Sequence, residues 1–249
     1  MKNVKNLVVN CSLISFFFLV LNASLLLAYE VKYTLIGSVL PDNVGFLMND
    51  NGTVVYKNYD EENRIQLYLF KDGVTKQITS YQTTYYSYTI KNNFYLNNND
   101  QIVWVLSEFY GNGKSNDFVV LADLNKNEIT KISVNISEYF NKCAYPTIND
   151  LGEVAWMQMD ESDSIKYLFL YKNQETKNIL TTTQELFYPN INKNGFITYA
   201  AKNVPSSKVY KAYLWDGNSH KRIDNSKDGE SCMYPIIDQK NNVVYYMTN

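Results

Sequence analysis

The chain has 249 residues, 45% apolar and 19% charged, with a formal net charge of −2. That length and apolar content can bury a sizeable core, and no long stretch rich in Pro, Gly or Ser interrupts it, which excludes a disordered chain and points to one compact domain. Lysines and arginines are scattered singly, which excludes a nucleic-acid binder that would gather them in a basic stripe.

The N-terminus reads MKNVKNLVVNCSLISFFFLVLNASLLLAYE, in which Lys2 and Lys5 precede an apolar run ending at Ala28, with Glu30 the first acid. This is the pattern of a secretory signal peptide over residues 1–28, cut after Ala28. The alternative is an uncleaved membrane anchor, since the run is almost long enough to span a bilayer. Cys11 lacks the preceding small residues of a lipid-attachment signal. Either way residues 29–249 are expected to be exported as one domain, whether periplasmic, at the cell surface or secreted. Removing residues 1–28 takes away two lysines and no acid, so the formal charge goes from −2 to −4.

Beyond this segment one phrase recurs: FLMNDNGTVVY from Phe46, FYLNNNDQIVW from Phe94, PTINDLGEVAW from Pro146, PNINKNGFITY from Pro189 and PIIDQKNNVVYY from Pro235. The turn markers Asn49, Asn97, Asn149, Asn192 and Asp238 are spaced by 48, 52, 43 and 46 residues, near the period of propeller repeats. Each unit reads as four strands. A short apolar strand ends in an Asn/Asp/Gly hairpin turn, as in INDLG with Gly152. A second strand follows (TVVY, QIVWVL, EVAWM, FITYA, NVVYYM), then a third (IQLYLF, FVVLADL, YLFLYK, VYKAYLW) and a brief fourth (KQIT, KISV, KNIL, KRID). Tyrosine is the outlying residue, with 22 copies, and suits pleated, half-buried surfaces. The spacing predicts an all-β chain, a β-propeller of about five four-stranded blades.

The inner strand, the Asn/Asp–Gly turn, the YLY-like strand and the final QIT resemble the TolB-type propeller repeat over nearly all of residues 44–249. Here Ile-Asn or Met-Asn stands where that family commonly has Ser-Pro. The resemblance implies the fold and speaks weakly to function, because such repeats occur in scaffolds, lectins and the non-catalytic halves of peptidases. The fifth unit stops two strands into its blade. YEVKYTLIGSVL, Tyr29 to Leu40, resembles a third strand and would complete it, pairing the two termini and covering an open edge. The alternative is an open array.

Cys143 and Cys232 follow the expected cut, and export favours a disulfide between them. Both stand in one repeat context, KCAYP and SCMYP, two blades apart, and a chord across a five-fold ring exceeds the ~7 Å Cα limit for a bridge, so none is expected. His220, the one histidine in the chain, lies in DGNSHKR and reads as a solvated turn residue. Histidine-based triads and multi-histidine metal sites therefore do not form, and no metal or other cofactor is expected. A glycoside hydrolase or lyase would need paired carboxylates on the inner strands, and PTIN and PNIN are neutral while PIID offers Asp238 alone. The chain thus reads as no enzyme.

Acids gather in YDEEN (Asp60, Glu61, Glu62) and MDESDS (Asp160, Glu161, Asp163), equivalent loops of blades one and three, as solvated hairpin tips without the alternating order of a calcium loop. Asn22, Asn51 and Asn135 match glycosylation sequons that arise by chance in an Asn-rich chain. Tyr145, Tyr188 and Tyr234 each precede a proline at the start of an inner strand. With the acidic loops they define a candidate binding rim on the top face, suited to a protein or peptide partner; packing between blades is the alternative role for the three rings. A second function is lectin-like glycan binding through Tyr and Asn, and a third is glycoside cleavage in the channel. Membrane contact is expected only through an uncleaved N-terminal segment.

Overall fold

The computed structural model describes residues 45–81, 87–111, 114–136, 141–160, 162–202 and 208–248. The expected signal segment over residues 1–28, Cys11, the stretch Tyr29 to Leu40 expected to complete the fifth blade, and Glu161 lie outside the described residues. The described residues fall into two compact units, one within 45–48 and 52–79, the other within 49–51 and 80–248. All regular structure among them is β-strand, in antiparallel sheets of four strands and one of two, and the fold is a β-propeller with about five blades.

The smaller unit is one sheet of β1 (Phe46–Met48), β2 (Val54–Tyr59), β3 (Ile65–Lys71) and β4 (Val74–Gln77), paired in sequence order. Val54, Val55, Tyr56 and Leu67 are its buried apolar centre, and Tyr56 stacks on Tyr68 with ring centroids 5.8 Å apart. The β2–β3 loop is built around Asp60. Its carboxylate accepts the Glu62 and Arg64 amides at 3.0 Å each, Arg64 Nε at 2.8 Å and Gln66 Nε2 at 3.0 Å. Desolvation raises the pKa of this carboxyl, and the hydrogen bonds from Arg64, Gln66 and Glu62 outweigh it, bringing the pKa down to about 2.

The larger unit holds a second blade of β5 (Ser87–Leu96), β6 (Gln101–Gly111), β7 (Lys114–Asp123) and β8 (Glu128–Lys131), and a third of β9 (Lys142–Ile148), β10 (Val154–Met159), β11 (Lys166–Lys172) and β12 (Glu175–Thr182). The fourth has β13 (Leu186–Ile191), β14 (Ile197–Lys202), β15 (Tyr210–Trp215) and β16 (His220–Arg222), and the fifth has β17 (Ser231–Ile237) and β18 (Val243–Thr248). Short turns force each successive strand back beside its predecessor, so neighbours in sequence pair. The expected four-strand unit is thus present. The fourth strand starts earlier than KISV suggests, because β8 begins pairing directly after the turn at 124–127.

The second strand of the third blade is sandwiched between two clusters, which explains its continuous apolar run. Val154 and Trp156 of β10 face a cluster with Val103, Val105, Val119 and Cys143, whereas Ala155 and Met157 face another with Leu186, Ile191, Ile197 and Tyr199. Trp156 is fully buried, stacks on Phe169 with centroids 5.4 Å apart, and donates Nε1 to Gln158 Oε1 at 3.2 Å. Gln158 in turn reaches the Val134 carbonyl at 2.6 Å and Asn141 Oδ1 at 3.1 Å, so a buried polar group finds its partners.

The recurring turns need positive φ at their fourth position. Gly52 (77°), Gly152 (76°) and Gly195 (77°) supply it, and Asp100 (57°) and Asn241 (69°) replace glycine in the other two. The marker Asn does more than shape its own turn. Asn149 Oδ1 accepts the Leu151 and Glu153 amides at 3.0 Å, while its Nδ2 donates to the Asn192 carbonyl of the next blade at 2.8 Å. The same donor bond runs from Asn49 to Asn97 (3.0 Å), from Asn97 to Asn149 (2.8 Å) and from Asn192 to Asp238 (3.0 Å). These residues form a directional relay along one end of the inner strands. It ends at Asp238, whose carboxylate has no amide hydrogen to pass on.

Candidate functional site

Midway along the inner strands, Tyr145 of β9, Tyr188 of β13 and Tyr234 of β17 come together. All three have left-handed backbones, with φ of 53°, 54° and 53°. Every other non-glycine residue with positive φ among the described residues is Asn or Asp, which tolerate that region, apart from Gln174 in a turn; a tyrosine there is strained by about 1–3 kcal/mol. The cause is a bulge. On β10 the pairing jumps from Ala155 opposite Thr147 to Met157 opposite Ala144, so Tyr145 and Pro146 together face Trp156 alone. The same two-against-one step places Tyr188 and Pro189 across from Tyr199, and Tyr234 and Pro235 across from Tyr245. Proline suits the unpaired position because it has no N–H to satisfy. The tyrosines therefore sit inside their strands and not at the strand starts, as the sequence suggests, since β9 begins at Lys142, β13 at Leu186 and β17 at Ser231.

The rotated backbone aims the three side chains into one ladder. Tyr145 and Tyr188 have ring centroids 4.6 Å apart, tilted by 57°, and Tyr188 and Tyr234 4.2 Å apart, tilted by 32°. The Tyr188 hydroxyl donates to that of Tyr234 at 3.3 Å. Burial, then this hydrogen bond, raises the Tyr188 phenol above its usual value. Tyr145 leans on the apolar cluster between blades three and four, Tyr188 is half-buried, and Tyr234 is 51% exposed. One end of the ladder is anchored in the core and the other is open to solvent.

Beside Tyr188, Phe187 packs edge-on against Tyr210 with centroids 5.6 Å apart. Tyr210 donates its hydroxyl to Glu185, whose other oxygen accepts Lys202 Nζ at 2.7 Å. Burial and that carboxylate push Tyr210 up to about 12. This trio was not legible in the sequence, because Glu185 lies in the loop before β13, Lys202 ends β14 and Tyr210 opens β15.

Most of the described acidic residues of the two loops are held by neighbours in or beside the same loop. Asp160 caps its own loop, accepting the Ile165 amide at 3.0 Å and the Ser162 and Ser164 hydroxyls at 2.8 and 3.0 Å. Asp163 pairs with Lys142 at 2.7 Å, at the start of the strand that carries Tyr145. In the smaller unit Arg64 binds both Asp60 (2.8 Å) and Glu62 (2.7 Å), and Glu61 is exposed at the loop tip. Local cations, hydroxyls and loop amides give most of these carboxylates hydrogen-bond partners within or beside their own loops.

His220 corrects another expectation. It opens β16 and is half-buried, with Nδ1 2.9 Å from the Tyr199 hydroxyl and Nε2 2.9 Å from the Ile179 carbonyl. A carbonyl can only accept, so Nε2 carries a proton and donates to Ile179. The imidazole is an inter-blade tie between blades three and four. Cys143 and Cys232 are buried free thiols. Among the described residues no group of three or more His, Cys, Asp or Glu is placed to hold a metal ion.

No family model and no curated protein matches the chain. Among solved structures it is similar to an oligogalacturonate lyase in complex with manganese, at 14% identity and TM-score 0.57, over 84% of this chain and 61% of the lyase. It is also similar to the β-propeller domain of the Trilobed protease from Pyrococcus furiosus, with its open velcro topology, at 13% identity and TM-score 0.52, over 76% of this chain and 54% of that one. TolB from Acinetobacter baumannii matches at 14% identity and TM-score 0.46, over 76% of this chain and 46% of that one. The chain thus spans less than two thirds of the length of each of these proteins. Taken with the repeated four-stranded blades, the first two likenesses give the chain the β-propeller fold, the fold to which the TolB-type repeat belongs.

Proposed function

We propose that the protein is an exported, non-enzymatic β-propeller that binds a protein or peptide segment on the ladder of Tyr145, Tyr188 and Tyr234. The observation that carries the reading is the strained backbone at all three tyrosines, since φ near 54° for a bulky residue costs stability and recurs where function holds it. Packed, mutually tilted phenols that are anchored at one end and 51% exposed at the other offer rigid, amphipathic contact area with little entropy to lose on binding. The N-terminal pattern supports export. His220, the one histidine in the chain, is engaged by Tyr199 and Ile179, which supports a binding role over histidine-based catalysis. The scattered lysines and arginines argue against a nucleic-acid partner.

A displayed peptide library tests this reading. Sequences enriched on the wild-type protein are expected to bind Tyr234→Ala at least ~10-fold more weakly, as for loss of an aromatic anchor. Unchanged binding to Tyr234→Ala and to Tyr188→Phe/Tyr234→Ala would overturn it. A second reading, glycan binding by stacking on the same rings, is favoured by the likeness to the oligogalacturonate lyase. A glycan array, with loss of signal in Tyr234→Ala, distinguishes the two.

A further inference from the structure

Tyr188 and Tyr234 lie 46 residues apart on adjacent blades, yet their ring centroids are 4.2 Å apart at a tilt of 32° and their hydroxyls are in contact at 3.3 Å. We infer that this pair is a site of oxidative cross-linking, where a one-electron oxidant, a haem peroxidase supplied with hydrogen peroxide, joins blades four and five through a carbon–carbon bond between the two phenol rings. This inference does not rest on the proposed binding role. Each phenol loses one electron and its hydroxyl proton, giving two phenoxyl radicals. Their ortho carbons couple, and the hydrogens on those two carbons move to the oxygens, restoring both phenols. The net change is loss of two hydrogen atoms from the protein, while the peroxide takes up two electrons and two protons and leaves as two waters.

Proximity favours the pair, because coupling of two radicals held side by side competes well against any encounter between molecules. Access favours it too, since Tyr234 is 51% exposed and can meet the oxidant directly. Other tyrosine pairs meet these conditions less well. Tyr145 and Tyr188 are tilted by 57°, Tyr56 and Tyr68 are 5.8 Å apart, and Tyr199, 5.5 Å from Tyr213, is 2% exposed. The bond would fasten the two-stranded blade of β17 and β18 to its neighbour, constraining the unfolded chain as a disulfide does.

The test is to treat the full chain, at a concentration that keeps it monomeric, with haem peroxidase and hydrogen peroxide, and to map cross-linked peptides by mass spectrometry. The expected product joins the peptides bearing Tyr188 and Tyr234 and is lighter by two hydrogens than their sum. It should be the dominant intramolecular cross-link, persist in Tyr145→Phe, vanish in Tyr188→Phe and in Tyr234→Phe, and vanish when wild-type protein is oxidised in denaturant. Circular dichroism confirms that each phenylalanine variant is folded. Cross-links that form chiefly elsewhere, or none while free tyrosine in the same tube dimerises, would overturn the inference.

Discussion

The side-chain amide of Asn149 donates to the main-chain carbonyl of Asn192 in the next blade, 2.8 Å away, while its oxygen accepts two amides of its own turn at 3.0 Å. One side chain thus shapes a hairpin and joins two blades. Asn149→Asp keeps the acceptor, loses the donor and puts a carboxylate beside a carbonyl and beside Glu153, whose Oε2 also accepts from Nδ2 at 2.8 Å. The substitution is expected to cost on the order of 3 kcal/mol, more than a single neutral hydrogen bond, because a buried group is left opposed as well as unpaired. Urea unfolding of the two proteins measures it, and a loss no larger than ~0.5 kcal/mol would show that the inter-blade bond contributes little.

Lys211 is 1% exposed, and its ammonium donates to Ser226 Oγ at 2.7 Å and to the Lys227 and Glu230 carbonyls at 2.9 Å each. It fastens the segment between β16 and β17. Lys211→Ala leaves three acceptors without their donor and opens a cavity, for an expected loss of about 3 kcal/mol. Limited proteolysis should then cut within 223–230 well before the wild-type protein is cut there. Lys211→Met, which refills the volume, should restore part of the stability and none of the protection from cutting.

Asp60 sets an acid limb for the smaller unit. Its folded pKa of about 2 lies below the ordinary value of ~3.9, so the stability it contributes is fully present above about pH 4 and is lost as the pH falls towards 2. Asp60→Asn is expected to be less stable than wild type at pH 7, with the gap closing between pH 4 and 2. Thermal melts of both proteins across that range would reveal the convergence. A constant gap would assign the effect to packing of the loop rather than to the charge.

Cys143 is 1% exposed with its thiol 3.3 Å from the Asp117 carbonyl, and Cys232 is fully buried, its thiol pKa raised chiefly by burial. Both should resist alkylation in the folded protein and react fully in denaturant without reductant. Peptide mapping of the alkylated sites reads the outcome, and rapid native labelling of either would mean that its blade opens.

Much of the architecture was written in local sequence. A short apolar strand, an Asn/Asp/Gly turn and a second apolar run give the same hairpin wherever they recur, because turn residues set positive φ and strand residues alternate between two buried faces, so the markers from Asn49 to Asp238 announce the blades. The same logic identified Tyr145, Tyr188 and Tyr234 as equivalent positions. It could not show that each occupies a bulge, because a bulge is a count of residues on two paired strands and Trp156, Tyr199 and Tyr245 are needed to reveal the extra one. Nor could it show Asn149 reaching Asn192, His220 bridging Tyr199 and Ile179, or Asp163 held by Lys142. Hydrogen bonds and ion pairs of that kind depend on which side chains neighbouring strands and blades bring within about 3 Å, and packing decides that distance where local propensity is silent.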